Sequence, residues 1–249
     1  MAQKRTPLAI FSPAFAPQFL AFLVICACFT PRVWGQNRNP YALPLTTKAR
    51  QYKAQTDSQP GLQMVRLSSI IPDLRTDWRY ASSQNFTGEI LYHQPAAYLR
   101  KEAATKLKQV DDSLKTMGIG LLLFDAYRPY RATLAMWKIV PDDRYAANPA
   151  NGSGHNRGIA VDLTLVNRHT GEPLRMPTDF DNFSDTAHHD FQSLDSTVLQ
   201  NRALLKGVME HFGFRALSTE WWHYSLPEPK RYPLMDISFR KMKQWTKKN

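Results

Sequence analysis

The chain has 249 residues, 43% hydrophobic and 21% charged, with 13 Phe and six Trp. That is ample apolar material for a sizeable core, and it excludes wholesale disorder. The net charge of +11 is scattered rather than gathered into a stripe, so no nucleic-acid partner is expected. The basic cluster at Arg240, Lys241, Lys243, Lys247 and Lys248 reads as a solvated helix face or a frayed tail.

Residues 1–35 read as a secretory signal peptide. Lys4 and Arg5 form a short basic start, an apolar run follows over 19–29, and Val33 and Gly35 stand at −3 and −1 before Gln36. The run is short for a membrane span, so no transmembrane domain is expected in the mature chain. The alternatives are an uncleaved anchor or a lipid attached at Cys28. Both cysteines, Cys26 and Cys28, fall in this segment. The mature chain then has no disulfide framework, and any metal must be held by His, Asp or Glu. Removing Lys4, Arg5 and Arg32 with no acid leaves a net charge of +8. The expected location is exported, periplasmic or envelope-associated, and the charge suits association with an anionic envelope surface.

Residues 36–62, with Pro40, Pro44, Pro60 and Gly61, read as a linker or wrapping arm ahead of a single domain over 63–249. The spacing of Leu99, Ala103, Leu107, Val110, Leu114 and Met117 predicts a helix over 96–117, stopped by Gly118. A buried strand follows over 119–124. Asp125 to Pro129 end it, and a second helix is predicted over 130–139. Over 159–165 the residues Ile159, Val161, Leu163 and Leu165 alternate with Ala160, Asp162 and Thr164, which is strand periodicity. Asp162 therefore lies on the face opposite the aliphatic residues, beside small neighbours. A third helix is predicted over 196–212, ended by Gly213, and a last strand over 221–226. This order gives an α+β fold, with helices packed on a small, mostly antiparallel sheet.

The stretch 153–162, SGHNRGIAVD, sets His155 and Asp162 seven positions apart around Gly158. Straight-strand parity would separate them, and a turn at Asn156, Arg157 and Gly158 would bring His155 back. His223 is the third ligand candidate, and Glu220 stands three residues before it. Two histidines, one aspartate and an open position make a catalytic zinc site. Glu220 would serve as the proton-transferring base, and Arg128 would stabilise the negative charge that develops on the substrate. Taken singly, each residue also has a plain structural reading: His223 a core or surface histidine, Glu220 a loop carboxylate, Arg128 a partner for Asp125.

Together, Ser153, His155, Gly158, Ala160 and Asp162, followed by Glu220 and His223, resemble the zinc D-alanyl-D-alanine dipeptidases of peptidase family M15. These form a wider group with D,D-carboxypeptidases and the hedgehog-type fold. Asn85 to Gly88 with Tyr92, Phe124 to Pro129, and Phe180-Asp181 after Met176 to Thr178 resemble further segments of that family. The likeness runs over about residues 65–235. It implies one zinc ion per chain held by His155, Asp162 and His223, with Glu220 as catalytic base and Arg128 as transition-state stabiliser. Ser153 and Asp181 match the residues that hold the dipeptide's ammonium group. Pro177 stands where the family pattern has glycine, and His188 and His189 are taken as loop residues. The expected function is hydrolysis of D-Ala-D-Ala. The alternatives are trimming of peptidoglycan stems by a D,D-carboxypeptidase or endopeptidase, or a non-enzymatic binding module on the same scaffold.

Overall fold

The computed structural model describes residues 39–246. The expected signal segment and both cysteines lie outside the described residues. The chain opens with α1 (Ala49–Ser58), β1 (Met64–Arg66), β2 (Arg75–Thr76), β3 (Tyr98–Arg100) and α2 (Lys101–Lys115). Next come β4 (Ile119–Asp125), α3 (Tyr130–Ile139), the one-turn α4 (Gly154–Arg157) and β5 (Ala160–Asn167). They are followed by α5 (Ser196–His211), β6 (Arg215–Leu217), β7 (Glu220–Ser225) and α6 (Phe239–Thr246). No described helix is long and apolar enough to cross a membrane.

α2 forms where the apolar stripe predicts, burying Ala103, Leu107, Val110 and Leu114 on one face. It begins at 101 rather than 96, because residues 98–100 pair antiparallel with β1 instead. Arg100 explains the preference. Its fully buried guanidinium donates to the carbonyls of Arg157 (2.9 Å), Leu62 and Pro233 (3.0 Å). These partners are distant in sequence, so local periodicity carries no trace of them. Within the segment expected to be a linker or arm, α1 docks through buried Tyr52, whose hydroxyl accepts from the Met64 N–H (2.8 Å).

The main sheet has the order β2-β4-β5-β7-β6, antiparallel throughout except for the β2–β4 pair. β5 lies at its centre and buries residues 160–166 without interruption, because both faces are covered. α2 packs against β4, and α5 against β5 and β7. Val161, Leu163 and Leu165 form the aliphatic side of β5, and Ala160, Asp162 and Thr164 turn to the other.

His189 packs edge-on against Tyr224 of β7, at 6.1 Å between ring centroids. Both of its ring nitrogens are buried without a hydrogen-bond partner among the described residues. Burial, with Lys206 and Arg202 nearby and only Glu210 and Asp190 opposing, pushes its pKa down to about 4. The unfolded chain, with histidine near 6.5, takes up a proton that the folded chain refuses. Stability from this residue is therefore complete above about pH 6.5 and is lost as pH falls toward 4. The loss should be on the order of 2 kcal/mol, allowing for the part of the ring that stays wet. Denaturant melts at pH 7 and pH 4 should show it as a drop in wild type relative to His189→Phe. Parallel curves for the two proteins would refute it.

Candidate active site

Asp162 and His223 are direct partners across the β5–β7 ladder, which brings two side chains of one face together. His223 Nδ1 lies 2.8 Å from Asp162 Oδ1. His155 arrives from the turn before β5. Ser153 caps α4, its Oγ accepting from the Asn156 N–H at 3.2 Å. Gly158 closes it at φ +72°. That left-handed backbone is what favours glycine here. The turn corrects the parity, and His155 Nε2 ends 3.2 Å from His223 Nδ1 and 3.3 Å from Asp162 Oδ2.

These three residues each offer one ligand atom, all within 4.8 Å of one another. The chemistry of the set fits a metal ion. His155 Nδ1 lies 2.7 Å from the Ala126 carbonyl, which can only accept. Nδ1 therefore carries the hydrogen, and Nε2 turns a lone pair to the centre, as a metal-bound histidine does. Four carboxyl groups, Asp125, Asp162, Asp181 and Glu220, surround one guanidinium, that of Arg128. A divalent cation would meet that excess of negative charge.

Glu220 opens β7. Residues three apart on a regular strand face opposite ways. Here a register shift between Ala216 and Leu217 pairs Leu217 with Glu220 and Ala216 with Tyr224, and Glu220 comes to the His223 side. Its Oε2 lies 3.8 Å from His223 Nδ1, outside the three-atom cluster. Burial raises its pKa to about 7, with Asp162 adding to the rise and His223 opposing it.

Arg128 is buried, and it is aimed by Asp125. Its Nε donates to Asp125 Oδ2 at 2.9 Å, and its terminal nitrogen lies 2.8 Å from the same oxygen and 3.8 Å from Asp162 Oδ2. Burial pushes the Asp125 carboxyl above its usual range, against the opposing pull of Arg128. The Tyr92 hydroxyl (2.9 Å), the Ala126 N–H (2.8 Å) and the guanidinium all donate to it and limit that rise.

Asp181 lines the same cavity, of about 260 Å³, with Ser153, Tyr80 and Trp222. Phe180 delivers it, stacked on Phe124 (4.6 Å) and edge-on to Trp222 (5.5 Å). Trp221 Nε1 donates to Thr178 Oγ1 (2.9 Å), holding the start of that loop. Asp181 sits at φ +58°, an uncommon region for a residue with a side chain. Its carboxylate accepts from the Tyr80 hydroxyl at 3.0 Å. Burial and the nearby Asp162 hold its pKa well above the usual carboxylate range.

All seven residues singled out in the sequence thus meet at one cavity. His188 and His189 lie outside the ligand cluster. Sequence reasoning missed Tyr80 as the partner of Asp181, the aiming role of Tyr92 with Asp125, and Asn156. Tyr92 did stand in a motif, but nothing local gave it a role.

An open three-donor metal position flanked by a buried carboxylate and a guanidinium is the equipment of a metallohydrolase. Known sequences narrow that class. Residues 61–242 match the Peptidase M15 family, described as D-ala-D-ala dipeptidase, and the chain belongs to that family. A D-alanyl-D-alanine dipeptidase of Escherichia coli (strain K12) is 37% identical over 177 residues, 71% of this chain and 91% of that protein. One of Enterococcus faecium is 34% identical over 189 residues, 67% of this chain and 94% of that protein. Among solved structures, an LD-carboxypeptidase overlaps 54% of this chain and 61% of its own, at 20% identity and a TM-score of 0.33.

Proposed function

We propose that the protein is an exported, zinc-dependent D,D-dipeptidase that hydrolyses D-Ala-D-Ala to two D-alanines. The observation that carries this reading is the convergence of His155, Asp162 and His223 within 4.8 Å, in a chain of this family. These residues would hold one zinc ion. Zinc bound there would act as a Lewis acid, polarising the peptide carbonyl and acidifying water.

The chain's own residues do the rest. Glu220, raised toward neutrality, takes a proton from the attacking water and passes it to the leaving amine. Arg128, held charged by Asp125, faces the cavity where negative charge develops on the carbonyl oxygen. Asp181 and Ser153 receive the ammonium group. Ser153 Oγ already accepts one hydrogen bond from Asn156 and keeps a second lone pair for the ligand. Export rests on the signal-like residues 1–35, with a mature chain beginning at Gln36. Its charge of +8 would favour the anionic envelope surface.

Purified mature protein should hydrolyse D-Ala-D-Ala, lose activity to a chelator and regain it with zinc at one ion per chain. Trimming of a stem pentapeptide without dipeptide hydrolysis would replace this reading with a D,D-carboxypeptidase. No hydrolysis of either by zinc-loaded protein would leave a binding module.

A further inference from the structure

We infer that Asn156 is a positioning residue that locks Arg128 to the turn carrying His155. The inference rests on the proposed function, since the placement of Arg128 matters to turnover only if charge develops in this cavity.

Asn156 is completely buried, yet both N–H hydrogens and the carbonyl oxygen of its amide find partners. Oδ1 accepts from the Ser153 N–H at 3.0 Å. Nδ2 donates one hydrogen to the Arg128 carbonyl (3.0 Å) and the other to Thr133 Oγ1 (2.9 Å). The partners fix the amide's orientation. A carbonyl can only accept and a backbone N–H can only donate, so nitrogen faces Arg128 and oxygen faces Ser153. The backbone of Asn156 is anchored as well, its carbonyl accepting from the Met235 N–H at 3.0 Å.

Arg128 is thereby gripped at both ends of its residue. Its N–H donates to the His155 carbonyl at 3.1 Å, and its own carbonyl accepts from Asn156. The next residue, Pro129, has no N–H of its own to bring to this junction. α3 begins there, and Thr133 lies in its first turn. One side chain thus joins the cap residue Ser153, the histidine turn, the arginine and the start of α3.

No other residue type fills these positions. Aspartate has the same shape but turns a lone pair toward the Arg128 carbonyl. Leucine fills the space and leaves a buried carbonyl and a buried N–H unpaired. Glutamine is longer by one methylene in a fully packed site. The pattern assigns Asn156 to geometry rather than to chemistry, because its amide faces protein groups on every side.

The test is a double-mutant cycle with Arg128, read as kcat and KM for D-Ala-D-Ala with zinc saturating. Asn156→Ala should lower kcat by about 100-fold, the scale of a 1 Å misplacement. KM should stay within about threefold, because the loss falls on the transition state rather than on binding. Bound zinc should remain at one ion per chain. In an Arg128→Ala background the same substitution should cost nothing further. If Asn156→Ala does not fold, the isosteric Asn156→Asp takes its place in the cycle. Losses that multiply would overturn the inference, as would a lowered Tm with unchanged kcat in the folded protein. Arg128→Ala turning over at the wild-type rate would instead sink the role given to Arg128 under the proposed function.

Discussion

Replacing Glu220 with glutamine should lower kcat for D-Ala-D-Ala on the order of 10³-fold while leaving one metal ion bound. Glutamine keeps the volume and the hydrogen-bonding shape of the side chain but cannot accept the water's proton. Its position separates this role from ligation, because the carboxylate lies beside the ligand atoms and not among them. A base must be ionised to act. With a pKa raised to about 7 by burial, Glu220 should give kcat/KM a limb that rises with pH. A cation at the adjacent centre draws that limb to lower pH. The limb should vanish in the Glu220→Gln variant. Steady-state kinetics across pH 5–9, with metal analysis of both proteins, make the check. Loss of zinc together with activity would mean that Glu220 is a ligand.

Acylating the amino group of the dipeptide should reduce kcat/KM by at least about 10²-fold. A free dipeptide brings an ammonium into a cavity where Asp181 is held by Tyr80 and lacks a cationic partner of its own among the described residues. N-acetyl-D-Ala-D-Ala brings no charge and more bulk, and forfeits the ion pair that an ammonium would form with Asp181. By the same physics a stem peptide, which has no free ammonium at that position, should be a poorer substrate than the dipeptide. Asp181→Asn should act in the complementary sense. It should lower kcat/KM for the free dipeptide and shrink the ratio between free and acylated substrates. Equal turnover of both substrates by the wild type would remove Asp181 from the specificity argument.

The parts of the fold that were legible in the sequence are those set by nearest neighbours along one element. α3 lies at the predicted residues, and the stripe of α2, the alternation of β5 and the stop at Gly213 were all readable. The start of α2 was misplaced because Arg100 satisfies three carbonyls far away in the chain. The site was legible where residue type and order carry chemistry, as with His155, Asp162, Glu220 and His223. It was illegible where a neutral side chain acts through partners brought in by folding. Tyr80 touches Asp181 across 101 residues and Tyr92 touches Asp125 across 33. A tyrosine met in a sequence gives no sign of which carboxylate it will hold.

Asp162 and His223 are neighbours only because β5 and β7 are zipped in one particular register. In the unfolded chain these donors stand 61 residues apart, and no preformed grip on a cation exists. An unfolded chain would therefore travel empty-handed. Under the export proposed above, any ion the site holds would be drawn from the compartment in which the chain folds, not from the one in which it was translated.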